Sequence, residues 1–219
     1  AINADTGAEL WRTNVGQKLS AGVGSDGQLA AVVTEEGYLV AVSQGKEQWR
    51  KRLPNRVYTA PLVAGARVFV QSADRSVLAF DAATGNPLWS QSKTSESLVL
   101  RQSGVLTAYQ DTLIAGVSGR FVGIDPNSGT VRWEVPLASR RGTNDVERLV
   151  ELVGGVSRVG SVLCTRAYQM AVGCVDAGAA QLRWTVRADG INGISGDDDI
   201  VAGADANGVI TTWSREGGS

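Results

Sequence analysis

The chain has 219 residues, 43% hydrophobic and 20% charged, enough to bury one sizeable core or two small ones and too apolar to be disordered. Its formal net charge of −1 leaves no cationic excess to hold a nucleic-acid backbone, and the absence of histidine removes the commonest general base and metal ligand. No apolar run approaches the roughly 18 residues of a membrane helix, and residues 1–7 carry no secretory signal, so any export signal would already be gone. The 27 glycines and six tryptophans instead suggest many turns and many strands.

In chain order, the first recognisable element is the turn Asp5-Thr6-Gly7-Ala8-Glu9-Leu10-Trp11. It is echoed by Gly45 to Trp49, by Asp81 to Trp89, by Asp125 to Trp133 and by Asp176 to Trp184, the last with Ala180 in the glycine place. In every copy the small residue lies four positions before the Trp, and Trp11, Trp49, Trp89, Trp133 and Trp184 follow one another at 38, 40, 44 and 51 residues. Such a period points to a repeat architecture. Apolar runs precede each turn, for example Thr59–Val63, Arg67–Gln71 and Ser76–Phe80, or Asp111–Ala115 and Arg120–Ile124, separated by turn formers. With the strand that starts at the Trp, this makes four short antiparallel strands per repeat, the blade of a β-propeller.

The predicted fold is therefore all-β, with blades near 19–50, 57–92, 98–135 and 150–187 and end strands at 8–14 and 190–213, read as one propeller domain or arc. Both ends cut the repeat at one phase, so the end pieces either combine into a closing fifth blade or belong to an arc of a larger ring. The period-locked Trp residues read as packing between blades rather than ligand-stacking groups.

The recurring pattern, Asp-x-x-Thr/Ser-Gly followed after three residues by Trp, resembles the repeats of pyrroloquinoline-quinone-dehydrogenase-like propellers. Within that group the chain is similar to the BamB family of outer-membrane assembly lipoproteins. The segments Glu96–Gly104, similar to a family Ser-Leu-Ser-Leu-Arg-Gly stretch, and Asn144–Glu151, similar to Glu-Ile-Asp-Arg-Leu-Ser-Asp, carry that likeness. The resemblance implies an eight-bladed ring on the periplasmic face of the bacterial outer membrane, of which about five blades are present. It also implies a lipid anchor absent from this chain, no cofactor and no catalysis. The implied partners are the periplasmic domains of BamA and unfolded outer-membrane protein precursors. By position the docking residues would be Leu98, Leu100, Arg101 and Glu151, with Glu147 and Arg148 in the second segment. Val153 stands where a second acidic residue would be expected.

From the residues alone, Leu98 and Leu100 read as inward residues of an innermost strand, and the charged second segment reads equally as a docking surface or a solvated loop. Asp197-Asp198-Asp199 offers hard metal ligands but falls at a hairpin turn, where Asp is a routine turn former, so no metal site is expected. Cys164 and Cys174 lie equidistant from Gln169, the centre of a hairpin turn, so a cross-strand disulfide or two buried thiols are both open. The alternative function is a fragment of a quinone-dependent dehydrogenase. Its calcium site, axial stacking Trp and adjacent cysteine pair are not visible in the sequence.

Overall fold

A computed structural model describes residues 1–92, 100–139 and 150–219. Contacts divide the chain into two compact units, Ala1–Ser92 and Lys93–Ser219. Strands make up all the regular structure among the described residues, arranged as antiparallel meanders. In the first unit β1 (Gly24–Ser25), β2 (Ala30–Val33), β3 (Tyr38–Ser43) and β4 (Lys46–Arg52) form one sheet in sequence order. A second sheet there follows the same order, β5 (Leu62–Ala64), β6 (Arg67–Gln71), β7 (Val77–Asp81) and β8 (Pro87–Gln91).

The second unit has two more four-stranded sheets. One contains β9 (Leu106–Tyr109), β10 (Thr112–Val117), β11 (Arg120–Ile124) and β12 (Val131–Pro136), and the other β13 (Leu152–Val159), β14 (Val162–Ala167), β15 (Ala171–Asp176) and β16 (Gln181–Arg187). A three-stranded sheet of β17 (Ser195–Gly196), β18 (Ile200–Ala204) and β19 (Ile210–Ser214) ends it.

The middle strands are the most buried, with consecutive buried positions at Leu39–Val42 and Leu113–Val117, and side chains of neighbouring sheets interdigitate over them. In the first unit Val33, Leu39 and Trp49 pack on Val63, Val68 and Phe80. In the second, Ile114, Phe121 and Val135 pack on Leu163, Ala167 and Val175, and Cys164, Val172 and Trp184 on Ile194, Val201 and Trp213. These are propeller blades packed face to face.

Each complete blade carries a β-bulge immediately before its Trp. Trp49 opposes Ala41 but Glu47 opposes Val42, leaving Gln48 extra, and Leu88, Arg132 and Arg183 are skipped in the same way. A bulge bends the strand and re-aims the next side chain. It sends the Trp49 indole over the turn of the following blade, where its Nε1 donates to the Ala82 carbonyl at 2.8 Å. Trp184 donates likewise to the Arg215 carbonyl at 2.8 Å.

The turn glycine is required twice over. Gly85 has φ +67° and a Cβ there would lie 2.6 Å from the Trp49 ring, while Gly218 has φ +76° and would place one 2.5 Å from Trp184. Where Ala180 (φ +53°) replaces that glycine, the Trp133 indole of the preceding blade lies across its own sheet instead, so close to Gly123 that a Cβ would sit 2.2 Å away. Glycine at 123, where the other complete blades have Ala41, Ala79 or Cys174, makes room for the displaced ring. Trp89 tilts against Phe69 at 5.9 Å.

Residues 8–14, expected as an outer strand, form no ladder. Glu9 makes one isolated bridge with Ile2, because no strand among the described residues lies beside the stretch to pair with it. It rests instead on the turn after β3, with Trp11 Cβ beside Gly45 and the Thr13 hydroxyl donating to the Gly45 carbonyl at 2.6 Å.

Carboxylates hold the turns. Asp81 accepts from the Thr84 hydroxyl and the backbone N–H groups of Thr84 and Ala83, and Asp125 from the Arg132 guanidinium and the N–H groups of Asn127 and Ser128. Asp26 accepts from the Leu29 and Gln28 amides, and Asp197 from those of Ile200 and Asp199. These bonds favour the charged form and hold all four carboxyls below the ordinary Asp value. A depressed folded pKa gives stability that is present above the unfolded value, about 3.9, and is lost as pH falls through the folded one. With no histidine to titrate, thermal melts followed by Trp fluorescence are expected to be level between about pH 5 and 8 and to drop below about pH 4. A midpoint that instead falls between pH 7 and 5 would contradict the assignment.

Candidate functional site

Leu98, Glu147 and Arg148 lie outside the described residues. Leu100, Arg101 and Glu151 are placed in the second unit, on segments that lead into innermost strands. Leu100 is half-buried, and Arg101 is exposed and makes no hydrogen bond or ion pair among the described residues. Glu151 is half-buried and its carbonyl accepts the Tyr168 N–H at 2.9 Å, which ties it to the turn between β14 and β15. The Ser103 carbonyl accepts the Gly154 N–H at 2.7 Å, joining the segment that carries Arg101 to the one that follows Glu151.

This approach is possible because β13 is irregular between Val153 and Ser157, and Gly155 there has φ +92°. Backbones then touch without side chains between them. A Cβ on Gly154 would lie 2.8 Å from the Gly104 carbonyl oxygen, and one on Gly193 would lie 1.9 Å from the Gly154 carbonyl oxygen. The loop 188–194 is thereby drawn in beside both segments. Sequence reasoning missed this loop, and also Gln102, whose side chain reaches it.

Val153, the departure from the family pattern, is buried at 3% exposure and directly opposes Arg166 in register. Arg166 is fully buried, donates Nη1 to the Asp189 carbonyl, and leaves Nε and Nη2 without hydrogen-bond partners among the described residues. Burial pushes its pKa down, opposed by the charges of Asp205 and Asp189. A lone Arg in the run Leu163–Ala167 was the available signal for it.

Cys164 and Cys174 oppose each other on β14 and β15 and are joined as a disulfide, with Cα atoms 4.0 Å apart. The Arg215 guanidinium, buried at 5% exposure, donates to the Cys164 Sγ at 3.4 Å and to the Ser157 hydroxyl. Arg215 thus fastens the last sheet to the one before it. A cavity of about 570 Å³ is lined by Leu137 and Ala138, which follow β12, by Met170 in the turn before β15, and by Val186 and Arg187 of β16. Among the described residues no three of His, Cys, Asp or Glu group closely enough to hold a metal ion, and Asp197 is engaged in its turn. The arrangement presents shape and charge, which suits binding.

Four-stranded meander blades, each bulged at its Trp, with Trp49 and Trp184 seated on the turn of the following blade, define a propeller of quinoprotein-type repeats. The chain belongs to the family described as outer membrane protein assembly factor BamB, whose model matches residues 1–219. It is 34% identical over 215 residues to the protein of that name from Burkholderia pseudomallei, covering 97% of this chain and 56% of the relative. To the one from Bordetella pertussis it is 32% identical over 217 residues, covering 98% and 56%. The chain thus spans about half the length of these curated relatives. Among solved structures, BamB from Moraxella catarrhalis superposes with a TM-score of 0.87 at 20% identity, over 94% of this chain and 64% of that one. A europium-containing methanol dehydrogenase gives 0.74 at 14% identity, over 93% and 50%, a likeness of fold alone.

Proposed function

We propose that the chain is a non-catalytic scaffold of the outer-membrane β-barrel assembly machine, working on the periplasmic face of the outer membrane. Its 219 residues contribute about five blades to a ring of eight. Its docking surface for the periplasmic domains of BamA is the face of the second unit that carries Leu100, Arg101 and Glu151. The observation that carries this reading is the direct joining of the Arg101 and Glu151 segments through Ser103 and Gly154. Residues from two blades are then held as one surface, with an exposed guanidinium beside an apolar side chain, a common composition for an interface hot spot. The dehydrogenase alternative would need an adjacent cysteine pair, whereas Cys164 and Cys174 are opposed across two strands.

A pull-down with BamA periplasmic domains tests the reading. Arg101→Glu is expected to reduce affinity at least about tenfold, or about 1.4 kcal/mol, because it reverses the charge the partner complements. Equal recovery of the variant and the unsubstituted chain would remove Arg101 from the interface.

A further inference from the structure

Three consecutive carbonyls in the loop leading to β17 are each taken by a donor from another part of the second unit. Buried Arg166 on β14 donates to the Asp189 carbonyl. The Gln169 N–H, in the turn after β14, donates to the Gly190 carbonyl at 2.8 Å. Half-buried Gln102 donates its Nε2 to the Ile191 carbonyl, 89 residues away in the chain. A loop has few contacts of its own to hold it, so three successive external bonds fix its path.

Gln102 is the member of this set that adjoins the docking segment. It follows Arg101 directly, and the next residue, Ser103, is bound through its carbonyl to Gly154. Its amide therefore connects Arg101 on one side with the loop 188–194 on the other.

We infer that Gln102 is a positioning residue that locks Arg101 and the Asp189–Ile191 loop into one body. The lock extends the docking surface to half-buried Ile191 and exposed Asn192. It favours a partner that offers an acidic group to Arg101 and apolar side chains to Leu100 and Ile191. The inference rests on the docking reading given above.

The test compares full-length chains with and without Gln102→Met, which keeps the length of the side chain and removes its donor. Two readouts are used, amide hydrogen exchange across 188–194 in the free protein and affinity for BamA periplasmic domains. Exchange in the loop is expected to speed up about tenfold while the unfolding temperature stays within about 2 °C. Affinity is expected to fall about fivefold through faster dissociation. In an Arg101→Ala background the same substitution should change affinity less than about twofold, since Gln102 acts through its neighbour.

Unchanged exchange would overturn the lock. Equal weakening in both backgrounds, or unchanged affinity where Arg101→Glu weakens binding, would overturn the positioning role and leave the docking reading standing. If Arg101→Glu itself leaves binding unchanged, Arg101 is removed from the interface and the positioning role of Gln102 falls with it.

Discussion

Trp184→Ala is expected to destabilise the second unit by about 3–5 kcal/mol, the range found when a large buried aromatic is truncated in a core. The indole is 8% exposed, packs with Ile194, Val201 and Trp213 of the next sheet, and donates Nε1 to the Arg215 carbonyl. Truncation loses the apolar contact and also leaves the Arg215 carbonyl unpaired in a buried place. It further opens a space over Gly218, whose glycine character exists to admit this ring. Trp184→Phe separates the two effects, since it keeps much of the bulk and is expected to cost about 1–2 kcal/mol for the lost hydrogen bond and poorer fit. Urea unfolding followed by far-ultraviolet circular dichroism reads both. A loss below about 1 kcal/mol for the alanine variant would show that the bulged Trp is not what joins successive blades.

The repeat was legible because its determinants are local. A small residue four positions before a Trp, between apolar runs, describes a turn, a bulge and an interlock within about ten residues, and it recurs. The exception at Ala180 was also visible, but not its consequence, because the compensating Gly123 lies on another strand of the preceding blade. The cysteines were traceable as far as their symmetry about Gln169, since directly opposed strand positions bring Cβ atoms into bonding range. The site was less legible. Which loops meet depends on how blades rotate against one another, and nothing near Gln102 in the sequence points to Ile191. Residues 8–14 look like an outer strand by pattern, yet a strand is defined by its partner, and pattern carries no partner.

Gly193→Ala is expected to cost about 3 kcal/mol or more, the upper end for overpacking, although it adds a single methyl group. The reason is what that methyl meets. It would lie 1.9 Å from the Gly154 carbonyl oxygen and 2.9 Å from the Gly155 Cα, backbone atoms that no rotamer change can move aside. Relief requires the two inner segments to separate by roughly 1 Å, in a region packed at crystal-like density. Separation would stretch the Ile194 N–H bond to the Gly155 carbonyl, now 3.3 Å, and carry the loop away from Gln102. Gly208→Ala is the control, because Gly208 has φ +83° with no atom within 4 Å, so only backbone strain of about 1–2 kcal/mol applies. The two variants are expected to differ in binding as well as stability. At a temperature where both remain folded, Gly193→Ala should weaken BamA docking while Gly208→Ala leaves it intact, because only the former shifts the surface that Arg101 and the loop share. A Gly193→Ala chain as stable as Gly208→Ala would mean that the innermost segments do not meet backbone to backbone, and the joined docking surface would lose its structural basis.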